Sequence, residues 1–458
     1  MNLKSPKFIK VLINDTGVVI IKLTKTTLVS FYYGGMMMDG LLKNKGFITL
    51  MLAQLISSIG DWLSVVAIIT MVGLKWEASP MEVSFIILCL AVPMALLGPF
   101  TGTVADRFNR KTIMVLSDVV RAGLILILAF TDSLWTVYIC LFMVGMLSAV
   151  FVPAKNGKLK ELIEQENMKS AMSITSMIDS GTKVLGPLLS GLLVSAFGTK
   201  MVFFIDSGTF VISAILLLAL PKATASISID SDEPGGASFK EDFLEGIRFI
   251  RGNRFLIVGI TVLGISLLIL QLSDSQIIVL LRELSNASPD LFGYIVTASG
   301  LGMFFTGLLL VKKTDYNALI LMFIGVCGIG ISFSMLAVLT RMDLALPVLW
   351  GPALGLVAGF AAGLVFIPFQ AAVQMDTPVH MTGRVFGVLN SVTTTATIIG
   401  PLAGGLLATI LGVIPTFVIT GLLLVAVSIV GLIFKSKIER GRENVSEGQS
   451  GAHGTASS

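Results

Sequence analysis

The chain has 458 residues, 54% of them apolar and only 13% charged, with a mean hydropathy of +0.91. A soluble domain carries about 25% charged residues, so this composition excludes an ordinary soluble protein and points to a polytopic membrane protein. The net charge of +4 calls for no nucleic-acid partner, because the basic residues stand where membrane topology places them. Three cysteines (Cys89, Cys140, Cys327) and two histidines (His380, His453) are too scattered for a metal site or a disulfide framework. No metal and no cofactor is expected.

The first 35 residues include GVVIIKLTKTTLVSFYY, an apolar run interrupted by Lys22 and Lys25 and lacking a small-residue cleavage site. MMMDGLLKNKGF follows. Either translation starts at Met36, Met37 or Met38, or the preceding segment is an amphipathic leader. Twelve apolar spans come next, at 48–73, 82–104, 111–130, 134–154, 169–195, 200–220, 253–272, 289–311, 317–340, 344–372, 384–411 and 413–435. Each is long enough to cross a bilayer as a helix. Residues 221–240, PKATASISIDSDEPGGASFK, read as a flexible linker. After them Phe239, Phe243, Ile247 and Ile250 share one face of a short basic helix lying on the membrane surface. The predicted fold is therefore all-α, with segments 1–45 (amino-terminal), 46–220 (first half), 221–252 (linker with amphipathic helix), 253–435 (second half) and 436–458 (disordered tail).

Orientation follows from the basic residues. One set of loops and ends holds Lys43, Lys45, Arg107, Arg110, Lys111, Lys155, Lys158, Lys160, Arg248, Arg251, Arg254, Lys312, Lys313 and Arg384, and the tail adds four more. The other set holds only Lys75, Lys200, Arg282 and Arg341. Both termini are expected in the cytoplasm, and the protein in the bacterial cytoplasmic membrane.

An internal repeat supports two halves. Residues 186–198, GPLLSGLLVSAFG, match residues 400–412, GPLAGGLLATILG, at seven of thirteen positions, and VFVP at 150–153 matches VFIP at 365–368. Span 5 thus corresponds to span 11 and span 4 to span 10. Such duplicated halves are a transporter architecture, with the substrate site between them near the midplane.

Between spans 2 and 3 stands GTVADRFNRK, in which Gly102, Asp106, Arg107, Arg110 and Lys111 fit Gly-x-x-x-Asp-Arg-x-Gly-Arg-Lys/Arg. On this motif the chain resembles the major facilitator superfamily. It departs at Asn109, where the family has Gly; Asn tolerates positive φ, so the tight turn is expected to survive. The Gly-Pro segments, Gly186, Pro187 and Gly191 in span 5 and Gly400, Pro401, Gly404 and Gly405 in span 11, resemble the motif of the superfamily's antiporters, with Ser190 replacing one glycine. SSIGDW, SDVVRAG, PAKNGKLKELIEQENMKSA and EGIRFIRGNRF resemble the third drug:proton antiporter family, over roughly residues 42–435. That resemblance implies export of macrolides, tetracycline or siderophores against a proton gradient, by a chain that works as a monomer among membrane lipids.

The charges then acquire expected roles. The basic loop is a latch that bridges to the other half in one domain arrangement, Asp106 accepting hydrogen bonds at the start of span 3. A carboxylate at mid-helix costs about 2.5–3.5 kcal/mol on insertion scales, so it is there for function. Asp61 lies 13 residues into span 1, about 20 Å up at 1.5 Å per residue, with no base three or four positions away. It is the first candidate for a site where proton and substrate compete. Asp118 with Arg121 and Asp179 with Lys183 have intrahelical pair spacing. Asp206 and Asp274 read as mouth acids, Asp206 remaining a coupling candidate. Beyond span 7 the span interiors lack charge, and Gln370, Gln374 and Asn390 are the expected polar walls. The function expected is proton-coupled export of an amphipathic small molecule. Alternatives are a lysolipid or lipid flippase, or an uncoupled facilitator; a membrane-embedded enzyme lacks the necessary residue clusters.

Overall fold

The structure, a computed structural model, describes residues 10–13, 19–22, 41, 43–164, 167–221, 247–285, 288, 290–311, 316–377 and 381–454. Beside a short antiparallel hairpin, Lys10–Ile13 with Val19–Lys22, the described elements are helices. They are α1 (Lys45–Thr70, prolonged by a π-helical turn, Met71–Lys75), α2 (Pro80–Arg107), α3 (Arg110–Leu128), α4 (Leu134–Leu162), α5 (168–197) and α6 (199–218). A second set follows as α7 (Arg254–Asp274), α8 (Leu291–Val311), α9 (Ala318–Arg341), α10 (Pro347–Asp376), α11 (Thr382–Leu411) and α12 (Val413–Gly454), with a short helix Ile277–Leu281 after α7. Twelve long helices among the described residues thus fall at the twelve apolar spans; ten stretches, one of them running through both α5 and α6 and none covering α3, are long and apolar enough to cross a membrane, and the chain is a multi-pass membrane protein.

The duplication is visible in the backbone. Gly198 (φ 75°) separates α5 from α6 and Gly412 (φ 90°) separates α11 from α12. Each is the last residue of its copy of the thirteen-residue repeat. Only glycine enters this region without steric cost, which is why both copies end on it. The helix starts repeat as well. Asn44 caps α1 and Asn253 caps α7, while Asn109 caps α3 and Asn317 caps α9, each side chain accepting from a backbone N–H of the first turn.

Asn109 therefore corrects one expectation. Its φ is −62°, not positive; its side chain stops α2 and starts α3 by accepting from the Thr112 amide at 3.3 Å. A glycine-tolerant turn is not what the position uses. Gly102 and Asp106 lie within α2, but their surroundings are outside the described residues, as are residues 222–246 of the linker. Residues 247–252 are helical. The last helix continues past 435 to Gly454, where the sequence suggested disorder; KSKIERGREN is rich in helix formers.

The basic loop makes contacts within its own half. Arg110 Nη1 pairs with Glu161 Oε1 at 2.9 Å and donates to the Gly157 carbonyl at 3.4 Å. Lys111 Nζ donates to the carbonyls of Leu218 and Leu220, 2.6 Å each. Lys158, 2% exposed, pairs with Glu161 at 2.7 Å and donates to the Pro221 carbonyl at 3.0 Å. These cations sit on the carboxyl ends of α4 and α6, where unpaired carbonyls and the helix dipole favour positive charge. The expected bridge to the other half is not among these contacts. Span 4 was also expected to end at 154; α4 runs to Leu162, and Lys158 within that extension finds acceptors instead of water.

Helix direction alternates, so α1, α3, α5, α7, α9 and α11 start at the face that bears Lys43, Arg110 and Arg384. This is the basic face. The close contacts between halves lie away from it. Gly191 in α5 meets Gly293 and Thr297 in α8, Gly300 meets Leu188, and Gly405 in α11 meets Ser84 in α2. Gln276, after α7, donates to Ser84 Oγ at 2.8 Å and to the Pro80 carbonyl at 3.0 Å. Toward the basic face the same helices expose Leu96 (65%) and Met177 (71%). Among the described residues, these close contacts between the halves lie at the far face.

Candidate functional site

SSIGDW in α1 organises the centre of the molecule. Gly60 leaves room for the Asp206 carboxylate and the Thr209 hydroxyl of α6; a Cβ there would overlap both. Trp62 lies against Gly186 of α5. Ser190, which stands where the antiporter motif has glycine, donates to the carbonyls of Trp62 (3.0 Å) and Leu63 (3.3 Å). So Gly60 receives α6, Trp62 receives α5, and Asp61 between them is left facing open space.

The two Gly-Pro segments make equivalent contacts. Gly186 packs on α1 as Gly400 packs on Gln271 of α7, the first helix of its own half. Ser190 and Gly404 sit against backbone carbonyls of those same helices. Gly191 and Gly405 both cross to the other half, to α8 and α2 respectively. Small residues let helix backbones approach this closely, and the shared pattern makes the motif an inter-half seam at the far face.

Asp61 borders two cavities. The smaller, about 380 Å³, lies inside the first half on the basic-face side and is lined by Gln54, Ser57, Arg121, Lys155, Asp179 and Asp206 among others. The larger, about 580 Å³, lies between the halves on the far side, with Trp62, Pro187, Gln271, Asp274, Phe292 and Phe333 in its wall. Asp61 belongs to both linings.

Asp206, Asp118 and Asp179 each have a partner. Asp206 is fully buried and accepts from the hydroxyls of Ser64 and Thr209, the latter at 3.1 Å. It is not a solvated mouth acid. Asp118 accepts from Ser213 at 2.6 Å and pairs with Arg121 across 3.7 Å, their side chains 0% and 3% exposed. The Arg121 guanidinium lies 5.0 Å from the Phe151 ring centre and 5.5 Å from that of Phe210. Asp118 Oδ1 and Arg121 Nε make no hydrogen bond, so the pair is loose and the cation is held largely by two aromatic faces. Asp179 accepts from Gln54 at 2.6 Å. Its expected partner Lys183 is exposed and is not paired with it among the described residues. Asp61 has neither hydrogen bond nor ion pair among the described residues.

Four of the six candidates therefore meet at the smaller cavity: Asp61, Arg121, Asp179 and Asp206. Asp118 stands behind Arg121, and Lys183 stands apart. Sequence reasoning missed Lys155, assigned to a loop yet buried in α4 and lining the cavity, and Gln54, which reads as an isolated polar residue in an apolar run. Asp274, read as a mouth acid at the outer end of span 7, is the exposed last residue of α7 and lines the larger cavity. Gln370, Gln374 and Asn390 line neither; Gln271, Ser299 and Thr397 supply the polar atoms there.

The sequence profile of the Major Facilitator Superfamily matches residues 50–394 and 276–457. Over 410 residues the chain is 37% identical to the uncharacterized MFS-type transporter YfiS of Bacillus subtilis, spanning 90% of this chain and 98% of that one. It is 26% identical over 390 residues to macrolide efflux protein A of Streptococcus pyogenes, spanning 84% and 94%. The solved nucleoside transporter NupG superposes with a TM-score of 0.64 at 11% identity, over 85% of this chain and 98% of that one. A bacterial homolog of the human lysosomal transporter Spinster, inward-facing and unoccupied, gives 0.58 at 15% identity, over 87% and 98%.

Proposed function

This chain belongs to the major facilitator superfamily, and from that premise we propose that it exports an amphipathic compound across the bacterial cytoplasmic membrane by proton antiport. The observation that carries the reading is the position of Asp61. It is the one acid shared by both cavities, and it lacks a partner while the other acids of the smaller cavity are bonded. Proton and substrate compete for it: protonated, it releases the substrate's contact; ionised, it accepts the substrate from the basic face. The excess of Lys and Arg on that face supports a cytoplasmic placement for it. The relative named for macrolide efflux supports the export direction.

Alternating access follows from the seam. The halves meet at the far face through Gly191, Gly293 and Gly405, and parting there while closing at the basic face exposes the same central acid to the other side. Arg121 and Asp118 form a reserve pair within reach of this change. A pair at 3.7 Å between two rings can open without breaking a tight hydrogen bond, and the freed guanidinium can then face the cavity.

The test uses purified protein in liposomes with an imposed pH gradient and a panel of a macrolide, tetracycline, a catecholate siderophore and a lysolipid. Gradient-driven movement of one compound, abolished by Asp61→Asn in protein that remains monodisperse, is the expected result. Movement that ignores the gradient would instead describe a facilitator or flippase.

A further inference from the structure

The smaller cavity belongs to one half alone: every residue that lines it, from Gln54 to Phe210, precedes the linker. Two helices give it its length. α1 lines it from Gln54 to Ile68 and α4 from Leu141 to Lys155, each with residues three and four apart on one face. Each stretch rises about 20 Å at 1.5 Å per residue. The two helices run in opposite directions, so Gln54 and Lys155 share the basic-face end. Polarity follows this axis. Ile68, Leu141 and Val144 wall one end, whereas below Asp61 the wall holds Ser57 and Ser148 and then Gln54, Asp179 and Lys155. Several polar atoms here find no protein partner. Lys155 is 8% exposed and makes no hydrogen bond or ion pair among the described residues, and Gln54 Oε1 and Arg121 Nε are buried and unbonded. The volume of about 380 Å³ has room for roughly ten waters at about 30 Å³ each, and water in a polar cavity satisfies such groups.

Resting on the antiport reading above, we propose that the smaller cavity is the proton's own route, a water-filled passage through the first half from Asp61 to the basic face, with Asp179 as the relay acid along it. Competition at Asp61 requires a second door. A substrate that reaches Asp61 from the larger cavity fills the space on that side of the carboxyl group, so the displaced proton has to leave on the other side, where Asp61 lines the smaller cavity. The proton passes from the Asp61 carboxyl oxygen to a neighbouring water, and each water hands one on. The Asp179 carboxylate takes one up and returns it to water at the basic face, and Asp61 is left ionised against the substrate. Charged groups face this path from every helix around it: Arg121 of α3, Lys155 of α4, Asp179 of α5 and Asp206 of α6. Arg121 is held by Asp118 and two rings, and Asp206 by Ser64 and Thr209. Asp179 accepts from Gln54 at 2.6 Å through Oδ1, a bond that survives protonation of Oδ2, so the acid can load and unload without leaving its place.

The experiment follows proton release from the purified full-length protein in detergent, without substrate, after a rapid jump from acid to neutral pH read by a pH-sensitive dye. The Asp61 proton is the part of the signal that Asp61→Asn lacks. Ser148, half-buried on α4 between Val144 and Lys155, is the place to fill the passage. Ser148→Phe should keep the amplitude of the Asp61 signal and slow it at least about tenfold, and Asp179→Asn should slow it likewise while Asp179→Glu restores the rate; one positioned proton-transfer group is worth about 10²–10⁴-fold. A plug in the wall of the larger cavity, Leu354→Phe, should slow release less. The passage is also filled after folding, by treating Ser148→Cys with N-ethylmaleimide and comparing it with wild type treated alike, so misfolding of Ser148→Phe does not rescue the idea. Wild-type rates in Ser148→Phe, in Asp179→Asn or in the modified protein, no reaction of Ser148→Cys, or greater slowing by the Leu354 plug would each overturn the route and leave antiport standing. Equal release by wild type and Asp61→Asn would instead sink the antiport reading, and the route with it.

Discussion

Replacing Arg121 by Met keeps the length of the side chain and removes its charge. Asp118 then stays buried with Ser213 as its remaining donor (2.6 Å), and the rings of Phe151 and Phe210 lose the guanidinium 5.0 and 5.5 Å from their centres. Removing one member of a buried ion pair costs about 3–5 kcal/mol, most of it from the charge left behind. The two ring contacts are of order 2 kcal/mol when desolvated and fall within the same total. Arg121→Met should therefore destabilise the protein by several kcal/mol. Adding Asp118→Asn removes the orphaned charge, so the double variant should recover about 1–3 kcal/mol relative to Arg121→Met alone. Unfolding in mixed micelles, followed by tryptophan fluorescence, gives the four free energies of the cycle. If the two single losses simply add, Asp118 and Arg121 are independent and the reserve-pair mechanism fails.

Other outcomes follow from the same contacts. Gly60→Ala places a methyl group where the Asp206 carboxylate and Thr209 hydroxyl lie; overpacking of this kind costs about 1–3 kcal/mol, and transport should fall with it, measured in the liposome assay. Lys111→Ala removes two 2.6 Å bonds to the Leu218 and Leu220 carbonyls, so amide exchange at 216–221 should accelerate while exchange in α1 stays as it was. Glu161→Gln breaks the partly exposed pair with Arg110 and also takes the carboxylate from Lys158, which is 2% exposed; a buried cation left without its partner is costly, so the thermal midpoint should fall. Gly405→Leu cannot fit against Ser84, so the far face should open, and a cysteine at Ser299 should then react faster with an impermeant maleimide from that side.

Much of this arrangement was legible in the chain. Long apolar runs report helix lengths, and the copied GPLLSGLLVSAFG segment reported two halves; both survive in the backbone as Gly198 and Gly412 at equivalent breaks. Four asparagines just ahead of apolar runs were readable as caps, yet Asn109 was assigned to a positive-φ turn because the family pattern outweighed the local one. Spacing identified the Asp118–Arg121 pair but could not distinguish it from Asp179 and Lys183. Those two have equally good spacing, but Asp179 turns to Gln54 on a different helix. Lys155 was invisible as a site residue because a lysine cluster after an apolar run reads as a membrane edge; only tertiary contact shows that α4 continues and carries it inward. Asp274 was placed at the outer end of its helix, where it lies. Height along a helix was readable, but not the closure of the far face that turns a mouth position into a cavity wall.

Competition between proton and substrate at Asp61 is measured most directly as proton release. Purified protein in weakly buffered detergent is mixed with a transported compound near neutral pH, and a pH-sensitive dye reports the change. The wild type should release protons on binding, approaching one per site where Asp61 is fully protonated beforehand, by linkage between the two ligands, and Asp61→Asn should bind without release. Binding with no proton release in the wild type, or equal release in Asp61→Asn, would contradict the role assigned to this residue.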